Sequence, residues 1–155
     1  MLVKDIMEKD FLTISKDTSI AELAKMFLEN KKDCALVIDV DGYLIGIVTE
    51  TDLIFQEKNI HIPTFITFLD SFIILENLSK LDDEIKKMAA SKAEEIMTSE
   101  NLITITPNTT VNDAATIMID KKVYHIPVIE NNKPVGLVTK ESLLKALLKD
   151  YEKNS

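Results

Sequence analysis

Y-L-I-G-I-V-T-E-T-D, residues Tyr43–Asp52, and V-G-L-V-T-K-E-S, residues Val135–Ser142, are two copies of one pattern. Gly46 and Gly136, Thr49 and Thr139, and Leu53 and Leu143 are each 90 positions apart. The chain has 3 glycines, and two of them stand at this equivalent place. Such agreement marks an internal duplication, which governs how every other segment is read.

Outward from the motif, the first copy can be followed in both directions. Residues 1–9 form a short helix-like lead ending near Met7, and Phe11–Ile14 is a brief extended piece. Ser19 and Glu22 have the spacing that caps a helix start, and Ile20, Leu23, Ala24 and Phe27 recur on one face. A helix over Ile20–Asn30 is predicted. Cys34–Ile38 is an apolar run of strand length, Asp41-Gly42 predicts a tight hairpin, and Leu44–Val48 is the return strand. Thr49 then opens a helix to about Lys58.

The second copy repeats this order. Ile96-Met97 matches Ile6-Met7, Leu102–Ile105 matches Phe11–Ile14, and Thr110 with Asp113 repeats the cap. Val111–Lys121 is the second amphipathic helix and His125–Ile129 the second apolar strand. The turn is Asn131-Asn132, a pair that tolerates left-handed backbone. The offset falls there from 91 to 90, so one residue is lost in a loop, where loss is cheap.

Residues 59–92 join the copies. Phe65, Phe68, Leu69, Phe72 and Ile73 have the spacing of a one-sided apolar helix, and Leu81–Met97 reads as another. Such a face either covers the core or forms an aromatic-rich interface with a partner.

Composition narrows the function. The formal net charge is −8, which disfavours nucleic acid and anionic membranes as partners. All 18 basic residues are Lys, so the planar guanidinium clamp for phosphate is missing. Cys34 is the single cysteine, no apolar run approaches membrane-spanning length, and the N-terminus is too polar for a secretory signal. The expected location is cytoplasmic. Enzyme chemistry finds little support, because His61 and His125 lie in different segments and no Gly-rich phosphate loop or metal-spaced cluster occurs. Cys34 reads as a buried, inert thiol.

Two units with I-M near the start, an apolar strand before a tight turn, and G-h-h-T-x-x-D at the end resemble a tandem pair of CBS domains, a Bateman module. The resemblance covers residues 1–58 and 93–150. No catalytic domain accompanies them, so the expectation is a stand-alone CBS-pair protein. What the resemblance implies is an α+β fold of two β-α-β-β-α repeats, 1–58 and 93–155, packed with pseudo-twofold symmetry around a helical linker, 59–92. It implies a regulatory sensor and no enzyme. The ligand would be an adenosine-containing nucleotide (AMP, ADP or ATP, with S-adenosylmethionine, NAD or cyclic di-AMP in second place) bound in the clefts between repeats. No cofactor is required. Homodimers and an unknown protein partner that reads the conformational change are also implied.

The resemblance also assigns residues. Thr49 and Asp52, with Thr139 and Ser142, would hold ribose. Physically, a helix start offers free N–H groups, and a carboxylate one turn in can accept from both sugar hydroxyls. The competing reading is a capping box in which Thr49 and Asp52 satisfy their own helix. Ser142 stands where the family has Asp, so the Asp52 cleft is expected to be the tighter one. Thr13, Ile14, Cys34, Ala35, Leu36, Thr104, Ile105, Ile126 and Pro127 would line adenine, against the alternative of plain core packing. Lys121, Lys122, Tyr124, His125 and Lys140 would meet phosphate, against the alternative of solvated surface charge. The missing Arg favours a ligand with few phosphates. The alternative function is a ligand-free interaction scaffold docking through the Phe65–Ile73 helix.

Overall fold

The computed structural model describes residues 1–55 and 89–155. In chain order these form a 3-10 turn at Val3–Asp5, β1 (Leu12–Ile14), α1 (Ile20–Asn30), β2 (Cys34–Ile38), β3 (Leu44–Thr49) and α2 (Glu50–Phe55). Then follow α3 (Ala93–Ile96), α4 (Val111–Lys121), β4 (His125–Glu130), β5 (Lys133–Thr139) and α5 (Lys140–Lys153). The Phe65–Ile73 helix and residues 81–88 of the second linker helix lie outside the described residues.

Both long helices begin as their caps predict. The Ser19 hydroxyl accepts the Glu22 N–H at 3.1 Å, and the Thr110 hydroxyl accepts that of Asp113 at 3.1 Å. Each satisfies one of the four N–H groups that a helix start leaves open. α1 buries Ile20, Leu23, Ala24 and Phe27; α4 buries Ala114 and Met118. Both end in a left-handed residue, Lys31 and Lys122, each at φ 54°. The cap N–H returns to the carbonyl of Phe27 or Met118. The continuous helix expected over Leu81–Met97 is broken at Ser91-Lys92, where Lys92 is extended. There the chain turns its backbone to a neighbour: Ile20 N–H donates to Ser91 O, and Ala93 N–H to Thr18 O.

The sheets differ from each other. In the first copy the order is β1-β2-β3, with β1 parallel to β2 in the register Leu12↔Ala35, Thr13↔Leu36, Ile14↔Val37. In the second, β4 and β5 pair alone, and the piece matching β1 is reduced to one parallel bridge, Ile105↔Val128. Ile105 N–H donates to Pro127 O, and Ile129 N–H donates to Ile105 O. Extending that ladder back to Ile103 would need an N–H from residue 127, and proline has none.

The hairpins also exchange character. Asn131 and Asn132 have φ of 54° and 65°, so the tight two-residue turn with both φ positive is in the second copy. In the first only Gly42 is left-handed (φ 86°), and the loop between β2 and β3 runs 39–43. The extra residue seen as an offset change resides in this longer loop.

Two compact units emerge. One comprises Leu12–Asp39 and the described residues of Ile45–Glu100; the other Met1–Phe11, Val40–Leu44 and Asn101–Ser155. The lead segment of each copy therefore completes the core of the other. Val3 and Ile6 join Ile105, Ala114, Met118, Ile126, Val128, Val138 and Ala146, while Ala89 and Ala93 join Ile14, Leu23, Phe27, Val37, Val48 and Leu53. The same backbone device docks both leads. Val3 N–H donates to Thr109 O and Val111 N–H to Met1 O, matching the bonds of Ala93 and Ile20. Next, residue 8 bridges the free edge of β5 (Glu8↔Leu137), and residue 98 that of β3 (Ile47↔Thr98). The two motif glycines give this arrangement its room. A β-carbon on Gly46 would lie 2.6 Å from the Met97 sulfur, and one on Gly136 would strike Met7. The group that approaches the strand closely at Gly46 is the methionine of the other copy's I-M pair.

Candidate functional site

Each copy places its motif threonine at the end of a strand and at the start of a helix. At the β3–α2 junction, Asp52 Oδ2 accepts the Thr49 N–H at 2.9 Å and the Thr49 hydroxyl at 3.3 Å. Both residues are half-buried. The capping geometry is thus present, and it uses one carboxylate oxygen. Among the described residues, Oδ1 of Asp52 has no protein partner. Glu50 N–H donates to Asp33 O at 3.0 Å, which ties the helix start to the foot of β2.

The β5–α5 junction is closed differently. Thr139 N–H donates to Ser142 Oγ at 3.0 Å, and Ser142 N–H donates to Thr139 Oγ1 at 3.2 Å. Their hydroxyls also touch, at 3.2 Å. Ser142 is fully buried. A ribose contact by Ser142 would require its hydroxyl to leave this box, so the geometry gives it a capping role. The Thr139 hydroxyl donates in addition to Glu8 Oε1 at 3.1 Å, a carboxylate 131 residues distant in sequence.

Strand alternation sorts the residues expected to line adenine. Ile14, Ala35, Ile105 and Ile126 belong to the two apolar cores. Thr13 pairs with Leu36 across β1 and β2, so these two and Cys34 share the opposite sheet face. In the second copy Pro127 pairs with Leu137 and His125 with Thr139, again on the face away from the core, with Thr104 alternating to the same side. The set of nine therefore divides. The side chains of Ile14, Ala35, Ile105 and Ile126 pack in the cores; those of Thr13, Cys34, Leu36, Thr104 and Pro127 lie on the opposite sheet faces.

Of the residues expected to meet phosphate, three converge. Lys140 Nζ sits 4.1 Å from the Tyr124 ring centroid, within cation–π range, and His125 stands opposite Thr139. Lys121 ends α4 and Lys122 is its left-handed cap, where cations suit the negative end of the helix dipole. Charge differs between the junctions. Asp33, Glu50 and Asp52 mark the first, whereas Tyr124, His125 and Lys140 occupy the matching part of the second. Glu8 is the residue that sequence reasoning missed, and the only signal for it was the loss of the motif carboxylate at Ser142. Among the described residues, no group of three or more His, Cys, Asp or Glu is placed to hold a metal ion, and no helix is long and apolar enough to cross a membrane.

The comparisons with known proteins agree with this architecture. A family model described as the CBS domain matches residues 3–59 and again 93–149. A CBS domain-containing protein of Dictyostelium discoideum is 32% identical over 153 residues, covering 98% of this chain and 94% of its own. An uncharacterized protein of Methanocaldococcus jannaschii is 28% identical over 158 residues, covering 96% and 92%. Among solved structures, CBSX2 in complex with AMP matches with a TM-score of 0.70 at 22% identity, covering 97% of this chain and 98% of that one. The CBS domain pair of protein MJ0100 in complex with 5′-methylthioadenosine and S-adenosyl-L-methionine matches at 0.68 and 26%, covering 97% and 98%.

Proposed function

Since the chain belongs to the CBS-domain family and carries two copies of the domain, we propose that it is a regulatory sensor that binds an adenosine-containing nucleotide and signals by a change of conformation. The observation that carries this reading is the Asp52 carboxylate. It is fixed by Thr49 through one oxygen and, among the described residues, leaves the other unengaged at a helix start. That is the acceptor a ribose diol needs. The MJ0100 pair offers support from a relative, since both molecules named with it carry adenosine. At the second junction, His125 and the Lys140–Tyr124 pair suit a phosphate. With no Arg in the chain, AMP fits this set better than ATP. Binding regulates only through different affinities for two arrangements of the protein.

Self-association belongs to the same proposal. α5 turns Leu144, Leu147, Leu148 and Tyr151 outward, 56–70% exposed, at the spacing of one helix face. Cytoplasmic residence belongs to the same reading, since Cys34 is the single cysteine and no intrachain disulfide can form.

Thermal unfolding with adenosine, AMP, ATP, 5′-methylthioadenosine and S-adenosylmethionine tests the ligand. At about 100-fold over Kd, a true ligand adds about 2.7 kcal/mol, a rise of roughly 5–11 °C for a protein of this size. AMP is expected to give the largest rise. If no adenosine compound moves the transition at millimolar concentration, the scaffold reading replaces this one.

A further inference from the structure

We propose that Glu8 supplies, from the far end of the sequence, the acceptor carboxylate that the second motif lacks. This inference rests on the nucleotide reading above and extends it to the Thr139 junction. The two motif threonines are equivalent by the repeat, and each hydroxyl donates to a carboxylate: Thr49 to Asp52 at 3.3 Å, Thr139 to Glu8 at 3.1 Å. The first acid comes from one turn into the following helix. In the second copy that position is Ser142, buried and spent on the capping box. Thr139 has two neighbours, and the division of labour is clear. Ser142 takes over the capping that Asp52 performs, and Glu8 takes over the charge.

Glu8 is held in place by backbone as well as side chain. Its N–H donates to Leu137 O at 2.8 Å, and its carbonyl accepts the Leu137 N–H at 2.9 Å, which registers it beside β5 two residues before Thr139. It is half-buried, and it also borders a recess of about 460 Å³ on the side of Asp5, Met7, Lys145 and Lys149. Thr139 uses one of its oxygens; among the described residues the other has no partner and remains for a diol, as Oδ1 of Asp52 does. The sequence contrast between the copies therefore overstates the chemical one. The second junction keeps an anionic acceptor and adds the cationic Lys140 nearby.

The test is calorimetric titration of adenosine and 2′,3′-dideoxyadenosine into the full chain, Asp52→Asn, Glu8→Gln and the double variant. Asp52→Asn is expected to leave one site that prefers adenosine over the dideoxy analogue. Glu8→Gln is expected to weaken adenosine at that site by about tenfold or more and to erase the preference for the diol, since charged acceptors roughly double the strength of a hydrogen bond. The dideoxy analogue should bind the Gln variant as before, a result that damage to the fold would not give. Unchanged adenosine affinity and diol preference in Glu8→Gln overturn the assignment. Loss confined to Asp52→Asn does the same. If the unaltered chain binds no adenosine, the nucleotide reading itself falls, and the role of Glu8 with it.

Discussion

A Gly136→Val protein is expected to unfold roughly 6–12 °C below the parent chain, the equivalent of about 3 kcal/mol at this size. A β-carbon at Gly136 meets Met7 Cγ at 2.8 Å and Cβ at 3.1 Å, with the sulfur closer still. At Gly46 the same construction meets Met97 Sδ, Cγ and Cβ at 2.6, 3.0 and 3.2 Å. A thioether tip can swing aside, but a Cβ cannot move without its backbone. That backbone is fixed by the bridges Glu8↔Leu137 and Ile47↔Thr98. Alanine at either glycine should therefore cost about 1–3 kcal/mol, and valine the upper end or more. Pairing Gly136→Ala with Met7→Ala separates this cause from a loss of strand flexibility. The double variant should recover about 1 kcal/mol or more relative to the sum of the singles. Strictly additive costs in denaturant melts would mean that Met7 does not occupy the space glycine leaves.

Asp52→Asn is expected to bind AMP at least about tenfold more weakly at the first junction while melting within about 2 °C of the parent. Asparagine keeps an oxygen for the Thr49 N–H, so the cap survives. It loses the charge and turns one of the two acceptors into a donor, which a ribose hydroxyl pair cannot use as before. Asp52→Ala removes both roles. It should lose the ligand response and in addition about 0.5–2 kcal/mol of stability. The two substitutions together separate capping from recognition, which the geometry of Thr49 and Asp52 combines in one side chain. Wild-type affinity in Asp52→Asn would reduce Asp52 to a cap.

Local patterns reached far in this chain. Ser19 and Thr110 fixed the helix starts, and strand lengths from Cys34 and His125 were legible because apolar runs and caps are short-range signals. Period-two alternation, applied within those strands, would already have sent Ala35 and Ile126 to the core and left Cys34, Leu36 and Pro127 opposite. The hairpins were harder. Asp41-Gly42 has the composition of a tight turn, yet the tight turn belongs to Asn131-Asn132, because loop length as well as residue type decides it. Pro127 silenced most of the ladder beside it, an effect visible only once its partner strand is known.

What no local pattern carried was partnership. Ile6-Met7 and Ile96-Met97 were recognisable as a repeated pair, but periodicity says that a residue is buried and is silent about what buries it. Their exchange between the two cores follows from the fold. Glu8 shows the same limit at the candidate site, since its contact with Thr139 spans 131 residues.

The most direct measurement is a crystal structure grown with saturating AMP. The expected density places the ribose diol against the Asp52 carboxylate, with Thr49 at its side. A nucleotide bound elsewhere, or none under saturation while Asp52 stays turned onto Thr49 alone, would contradict the account.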